Sequence, residues 1–279
     1  RKIQEEIPNL VKVGEFIEDS KEYKEEAEKI LIQLLGISRG DLFLRRMENI
    51  PEEIIERAEN ALHRAKEGEP LQYIFEQVEF YGRSFFVGEG VLIPRPETEL
   101  LVESVLKLAR DKAQILDLCT GSGIIGLTLK AERDNLAICM ADISDSALLC
   151  AKRNMDNLKL DVNIIKSDLF DKIEGKYNII VSNPPYIKKS VISKLDRRVR
   201  DYEPTIALDG GEDGLYFYRK IIEEGKNFLE DDGIIAFEIG YDQGQDVLDI
   251  GRSKGFKGEL LKDYSNNDRI VLLRRINVT

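Results

Sequence analysis

Gln114-Ile115-Leu116-Asp117-Leu118-Cys119-Thr120-Gly121-Ser122-Gly123-Ile124-Ile125-Gly126 decides the fold. A short apolar run reads as a buried strand, and Leu127-Thr128-Leu129-Lys130-Ala131 after it reads as a helix. Between them Gly121, Gly123 and Gly126 satisfy G-x-G-x-x-G, in which glycines allow the tight turn and let a ligand approach backbone N–H groups at a helix N-terminus. Strand, glycine loop and helix in that order open an α/β sheet whose ligand lies beyond the carboxyl ends of its strands.

Working outward, the next apolar run, Leu136 to Ala141, ends at Asp142. That spacing, about 20 residues past the loop, suits an acid accepting ribose hydroxyls. A nicotinamide dinucleotide and S-adenosylmethionine both carry an adenosine ribose, so the loop fits either. Asp117 just before the loop, with no basic residue inside it, favours a cationic sulfonium over a pyrophosphate by charge complementarity. A third strand, Val162 to Ile165, leads to Asp168 and Leu169. These two read either as a contact for an adenine amino group and ring, or as a turn cap.

A fourth strand, Tyr177 to Ser182, runs into Asn183-Pro184-Pro185-Tyr186. A planar NH2 group is a poor nucleophile because its lone pair is delocalised. Two acceptors, the Asn183 side-chain oxygen and the Pro184 carbonyl, would take its N–H bonds, aim the nitrogen for in-line attack and stabilise the charge growing on it. Consecutive prolines fix φ and remove donors, and Tyr186 offers a flat face for stacking on an amide or a base. Four strand ends thus carry a glycine loop, two aspartates and an asparagine.

Bulk properties narrow the classes. With 42% apolar and 33% charged residues in 279, the chain is an ordinary globular protein of one large or two moderate domains. No segment is read as membrane-spanning and no secretory signal is seen, although a start at Arg1 leaves room for residues ahead of it. Cys119, Cys139 and Cys150 lack metal-ligand spacing and read as buried free thiols of a cytoplasmic protein. The single histidine, His63, argues against zinc chemistry or a Ser/His triad, and no metal site is expected. A formal net charge of −11 counts against sequence-independent nucleic-acid binding. Against that trend Lys188, Lys189, Lys194, Arg197, Arg198 and Arg200 crowd one segment after the Asn-Pro-Pro-Tyr motif, as a basic flap or a solvated helix face.

The spacing predicts helices around Ile30 to Leu35, ended by Gly36, over Leu42 to Leu44, and from Pro51 onward, a helical bundle assigned to 1–72. A β-hairpin, Val78 to Tyr81 with Ser84 to Val87, is expected to link two domains over 73–93. The remainder, 94–279, holds the sheet. It enters through a proline-rich approach into a helix from Leu100 to Ala109, which reads either as placing Arg95, Glu97 or Thr98 near the ligand or as a helix N-terminus with stabilising acidic residues in its first turn. It continues with a helix from Leu215, a fifth strand Ile234 to Ile239, and an antiparallel pair, Phe256 to Leu261 and Arg269 to Arg274.

Assembled, the chain resembles the peptide chain release factor N5-glutamine methyltransferases, the HemK/PrmC family. The resemblance is carried by Leu34-Leu35-Gly36-Ile37-Ser38-Arg39, Leu92-Ile93-Pro94-Arg95-Pro96-Glu97-Thr98-Glu99 and the glycine loop. It extends to Asn183-Pro184-Pro185-Tyr186, Tyr202-Glu203-Pro204 with Ala207-Leu208 and Gly210-Gly211, and Glu238-Ile239-Gly240. It implies a Rossmann-like S-adenosylmethionine-dependent methyltransferase sheet with a C-terminal antiparallel hairpin behind a helical substrate-recognition domain. It also implies methylation of the glutamine amide nitrogen in the Gly-Gly-Gln motif of class 1 release factors, with S-adenosylhomocysteine as product. Carried over by position, cofactor contacts fall on Cys119, Thr120, Gly121, Ser122, Gly123, Asp142, Asp168, Leu169 and Asn183. The catalytic set is Asn183, Pro184 and Tyr186, and the substrate amide meets Asn183, Pro184, Pro185 and Tyr186. Cys119 stands where the family usually has Gly, and Leu169 is smaller than the aromatic residue of some relatives. A monomer acting on protein and not directly on nucleic acid is expected. The alternative is an adenine-N6 methyltransferase acting on DNA or RNA, since Asn-Pro-Pro-Tyr is shared with such enzymes; a noncatalytic adaptor is the third reading.

Overall fold

The computed structural model describes residues 11–276 and divides after Phe75 into two compact units. In the first, the helices Val13–Asp19, Lys24–Leu35, Arg39–Leu44, Glu52–Lys66 and Leu71–Ile74 surround Phe16, Ile17, Ile30, Leu31, Leu42, Ile54, Ala58 and Leu62. Gly36 ends the second of these at φ +63°, the left-handed conformation a glycine cap adopts without strain. Ser38 and Asp41 form a reciprocal capping box at the start of the next.

The second unit begins with an antiparallel hairpin, β1 (Gln77–Phe80) and β2 (Arg83–Phe86). Its Phe80 and Phe85 pack with Leu101, Val105 and Ile125, so the hairpin belongs to the core of this unit and is not a free linker. Tyr73, expected at the start of the linker, lies in the last helix of the first unit.

Seven further strands follow: β3 (Gln114–Leu118), β4 (Ala137–Asp142), β5 (Asn163–Lys166), β6 (Tyr177–Ser182), β7 (Leu229–Glu238), β8 (Phe256–Lys262) and β9 (Asp268–Arg275). They form one sheet in the order β5-β4-β3-β6-β7-β9-β8. β3 to β7 pair in parallel, while β9 is antiparallel to both β7 and β8, giving the C-terminal hairpin expected from the sequence. Alternate strand residues enter separate apolar clusters, Ile115, Met140 and Val181 in one and Leu116, Leu118 and Ile180 in the other. Both faces of the sheet are therefore covered, as a parallel sheet requires.

β7 starts earlier than its apolar run suggests. Between Tyr177↔Leu229 and Ile179↔Ile234 the register shifts, and Gly233 sits where a Cβ would lie 2.9 Å from the Glu230 carbonyl. The register aligns the carboxyl ends: Leu118 pairs with Ala141 and Ser182, and Ser182 with Phe237. Asp142, Asn183 and Glu238 consequently emerge along one edge.

Candidate active site

The loop after β3 is held from within. Asp117 is fully buried, and its Oδ2 accepts the Thr120 hydroxyl at 2.6 Å and the Gly126 N–H at 2.9 Å. Burial pushes this carboxyl up to about 7. Gly126 lets the helix Ile124–Glu132 lie against β4, for a Cβ there would stand 2.7 Å from Met140. Cys119 has φ +57°, a left-handed conformation that glycine adopts freely and a cysteine adopts only under strain. The enclosed setting of its thiol, beside Asp142, raises its pKa.

Across the loop, Asp142 ends β4 and takes the Gly121 N–H on Oδ2 and the Ser144 N–H on Oδ1, each at 2.9 Å. Burial raises this carboxyl, while bonds from the Ser144, Gly121 and Ile143 amides hold it down in part. A residue with no motif of its own completes the support. Asn154, on the helix Asp145–Leu158, donates to the Ser122 and Phe86 carbonyls, both at 2.9 Å, and accepts from the Phe86 N–H at 2.6 Å.

These elements wall a single cleft open to solvent. It brings together Cys119, Thr120, Gly121, Ser122, Asp142, Asn183 and Pro185 from the expected set. Asp168 and Leu169 line an adjoining recess that shares Cys119, Asp142, Ile143 and Phe217 with the cleft. Gly123, Pro184 and Tyr186 line neither. Gly123 instead caps the helix after the loop at φ +79°, and Pro184 is buried. Of the approach residues, Thr98 reaches the lining while Arg95 and Glu97 do not.

The Tyr186 backbone is clamped. Gln243 donates to its carbonyl at 3.0 Å and to that of Gly214 at 3.1 Å, and a Cβ on Gly210 would stand 2.6 Å from its Cα. Burial, and after it the charge of Glu238, pushes the phenol up to about 12. The outer walls of the cleft, Val91 to Pro94 on one side and Ile206 with Ala207 on the other, meet at a buried acid. Glu203 receives the Arg95 guanidinium at 2.5 Å and the Ile93 N–H at 3.1 Å. Thus Leu92 to Glu99 and Tyr202-Glu203-Pro204 are one structural unit despite a separation of 108 residues.

A family model described as "Methyltransferase small domain" matches residues 96–198, and one described as "PrmC N-terminal domain" matches 10–75. A protein of Clostridium acetobutylicum named release factor glutamine methyltransferase is 40% identical over 276 residues, covering 95% of this chain and 97% of its own length. The chain belongs to the release factor glutamine methyltransferase family. A member from Aquifex aeolicus is 37% identical, over 96% of this chain and 97% of that protein. Among solved structures, a methyltransferase from Pyrococcus furiosus superposes with TM-score 0.56 at 16% identity, covering 70% of this chain and 90% of its own, which shows the shared fold.

Within this member of the release factor glutamine methyltransferase family, several lining residues carried no chemical signal in the sequence. Phe217, Ile143 and Ile206 contribute apolar walls, and Asn154 supports the loop. Leu92, Pro94 and Thr98, by contrast, lie in the stretch whose prolines pointed to the site.

Proposed function

We propose that this chain transfers a methyl group from S-adenosylmethionine to the side-chain amide nitrogen of the glutamine in the Gly-Gly-Gln motif of class 1 peptide chain release factors, a cytoplasmic reaction by the nature of that substrate. The observation that carries the reading is one cleft lined by the glycine loop, by Asp142, and by Asn183 and Pro185 of the Asn-Pro-Pro-Tyr motif. A cofactor site and an acceptor for N–H bonds thereby share a wall.

The residues fit the cofactor. Each Asp142 oxygen takes one backbone N–H and keeps a lone pair for a ribose hydroxyl. Asp168 and Leu169 in the recess suit an adenine edge and face, and a Cβ at Gly121 would meet nothing within 4 Å, so the loop leaves open space over its backbone. S-adenosylmethionine supplies an electrophilic methyl group on a positively charged sulfur.

On the acceptor side, the Asn183 oxygen and the Pro184 carbonyl receive the two amide N–H bonds, turn the nitrogen lone pair outward and stabilise its growing positive charge. No base is needed beforehand, because the nitrogen becomes acidic only as it is alkylated and then sheds its proton to water. Tyr186, its backbone pinned by Gln243, supports the amide plane from outside the cleft. The helical unit, with Phe43, Leu44 and Met47 exposed, is assigned to gripping the release factor.

The test is transfer of labelled methyl to a class 1 release factor, to its Gln→Ala variant in the Gly-Gly-Gln motif, and to duplex and single-stranded DNA. Label on the intact factor alone is expected. Equal label on the variant, or label on DNA, would replace the glutamine reading.

A further inference from the structure

Glu238 ends β7 one residue beyond the Ser182↔Phe237 pair, so it stands beside Asn183 at the adjacent strand end. It is 1% exposed, yet it forms no ion pair among the described residues. Its Oε2 accepts the Thr98 hydroxyl at 2.7 Å, and Thr98 lines the cleft with Asn183 and Pro185. Its Oε1 accepts no hydrogen bond among the described residues, and it is not one of the fully enclosed orphan oxygens, which are Asp117 Oδ1 and Thr128 Oγ1. A buried carboxylate without a cation works against folding, and groups of this kind concentrate where chemistry needs them.

Every neighbouring element contributes to its surroundings. Arg95 and Glu97 precede the helix Thr98–Leu108, Tyr186 follows β6, Tyr218 lies on the helix Tyr216–Gly225 and Arg269 on β9. Neither cation neutralises Glu238: Arg95 is bound to Glu203, and Arg269 to Asp263 and the Ile239 carbonyl. The Tyr218 hydroxyl donates to the Glu238 backbone carbonyl at 3.0 Å, which fixes the strand end and leaves the carboxylate to Thr98.

We propose that Glu238 is a positioning residue for the methylated nitrogen, acting through Thr98. A hydroxyl has one proton and two lone pairs. While the carboxylate is ionised it takes the Thr98 proton, so Thr98 presents only lone pairs to the cleft and can share, as a second acceptor, the substrate N–H held by Asn183. The carboxylate charge also favours the positive charge developing on that nitrogen. Protonated, Glu238 can donate to Thr98 in turn, which frees the threonine proton to point into the cleft and oppose the substrate N–H. Burial raises the carboxyl to about 7, so this reversal falls in an accessible pH range.

The inference rests on the methyl-transfer reading above. Its test measures kcat and KM from pH 5.5 to 9, with cofactor affinity by calorimetry, for the wild type, Glu238→Gln, Thr98→Val, Thr98→Ser and the Glu238→Gln/Thr98→Val double variant. Glu238→Gln should lower kcat about 10- to 100-fold, the scale of one charge-linked hydrogen bond, and abolish the acid limb near pH 7, with cofactor affinity within about 3-fold. Thr98→Val should match it, Thr98→Ser should stay within about 3-fold of wild type, and the double variant should be no worse than either single one. Glu238→Gln with wild-type kcat and an unchanged acid limb would overturn the proposal, as would a loss confined to cofactor affinity. All variants are compared on whichever nitrogen acceptor the wild type methylates. Failure of the glutamine reading then shows as wild-type transfer elsewhere, and failure of this one as variants that match the wild type.

Discussion

At the end of β3, Asp117 secures the glycine loop through partners three and nine residues away in the chain. At the end of β7, Glu238 is reached by Thr98, 140 residues earlier. Both are buried carboxyls raised to about 7 by desolvation, but their second oxygens differ. That of Asp117 is fully enclosed, whereas that of Glu238 is not. The first acid holds a loop in shape; the second stands at the strand edge beside Asn183. The cofactor side of the cleft is built from sequence neighbours and the acceptor side from distant segments closed onto one another, so the two sides should fail separately.

The sharpest way to break that separation is Asn183→Ala. Turnover should fall about 10²–10³-fold, the effect of losing one preorganised polar partner, while cofactor affinity measured by calorimetry stays within several-fold. Asp142→Ala should do the reverse. Loss of hydrogen bonds to a charged acceptor should weaken cofactor binding about 10- to 100-fold, with kcat at saturating cofactor nearly retained. If either variant lost both properties equally, the two sides would have to be treated as one.

Arg95→Ala probes the long-range clasp. It leaves the Glu203 carboxylate, 2% exposed, without its cation. Because Arg95 is itself about a third exposed, the expected loss of about 2–3 kcal/mol lies below the 3–5 kcal/mol of a fully buried pair. Thermal unfolding should report it, together with a raised KM as the cleft walls part.

The smallest effect separates stability from function at Glu238. A carboxyl whose folded pKa is raised contributes stability that is fully present below its unfolded value and lost as pH rises through the folded one. For Glu238 that window runs from about 4.5 to about 7. Glu238→Gln should therefore melt a few degrees above wild type at pH 8.5, with the gap closing toward pH 5, although the same variant is the slower enzyme. A variant that melts lower at pH 8.5 would mean that the carboxylate is there for packing.

The same contrast explains what could be read from sequence. Gln114 to Gly126 announces itself because strand, loop and helix are contiguous and the geometry needs glycine at fixed places. The Asn-Pro-Pro-Tyr motif is visible for a similar reason, as its prolines define a backbone with acceptors and no donors. The helix Asp145–Leu158 is hard to see because its buried face is Ala147, Cys150, Ala151 and Asn154, too small and polar to form an apolar stripe. The early start of β7 is hidden by Glu230, Asp231 and Asp232, which occupy the shifted register before Gly233. Arg95 and Glu203 were visible as parts of two motifs, but only the fold makes them one clasp. Thr98 and Glu238 likewise gain meaning only when the strand ends are aligned.

The most direct measurement of the central claim is tandem mass spectrometry of a class 1 release factor after incubation with this chain and S-adenosylmethionine. A single methyl group on the side-chain amide of the Gly-Gly-Gln glutamine is the predicted result. A methyl group on any other residue, or an unmodified glutamine under conditions in which S-adenosylhomocysteine accumulates, would contradict it.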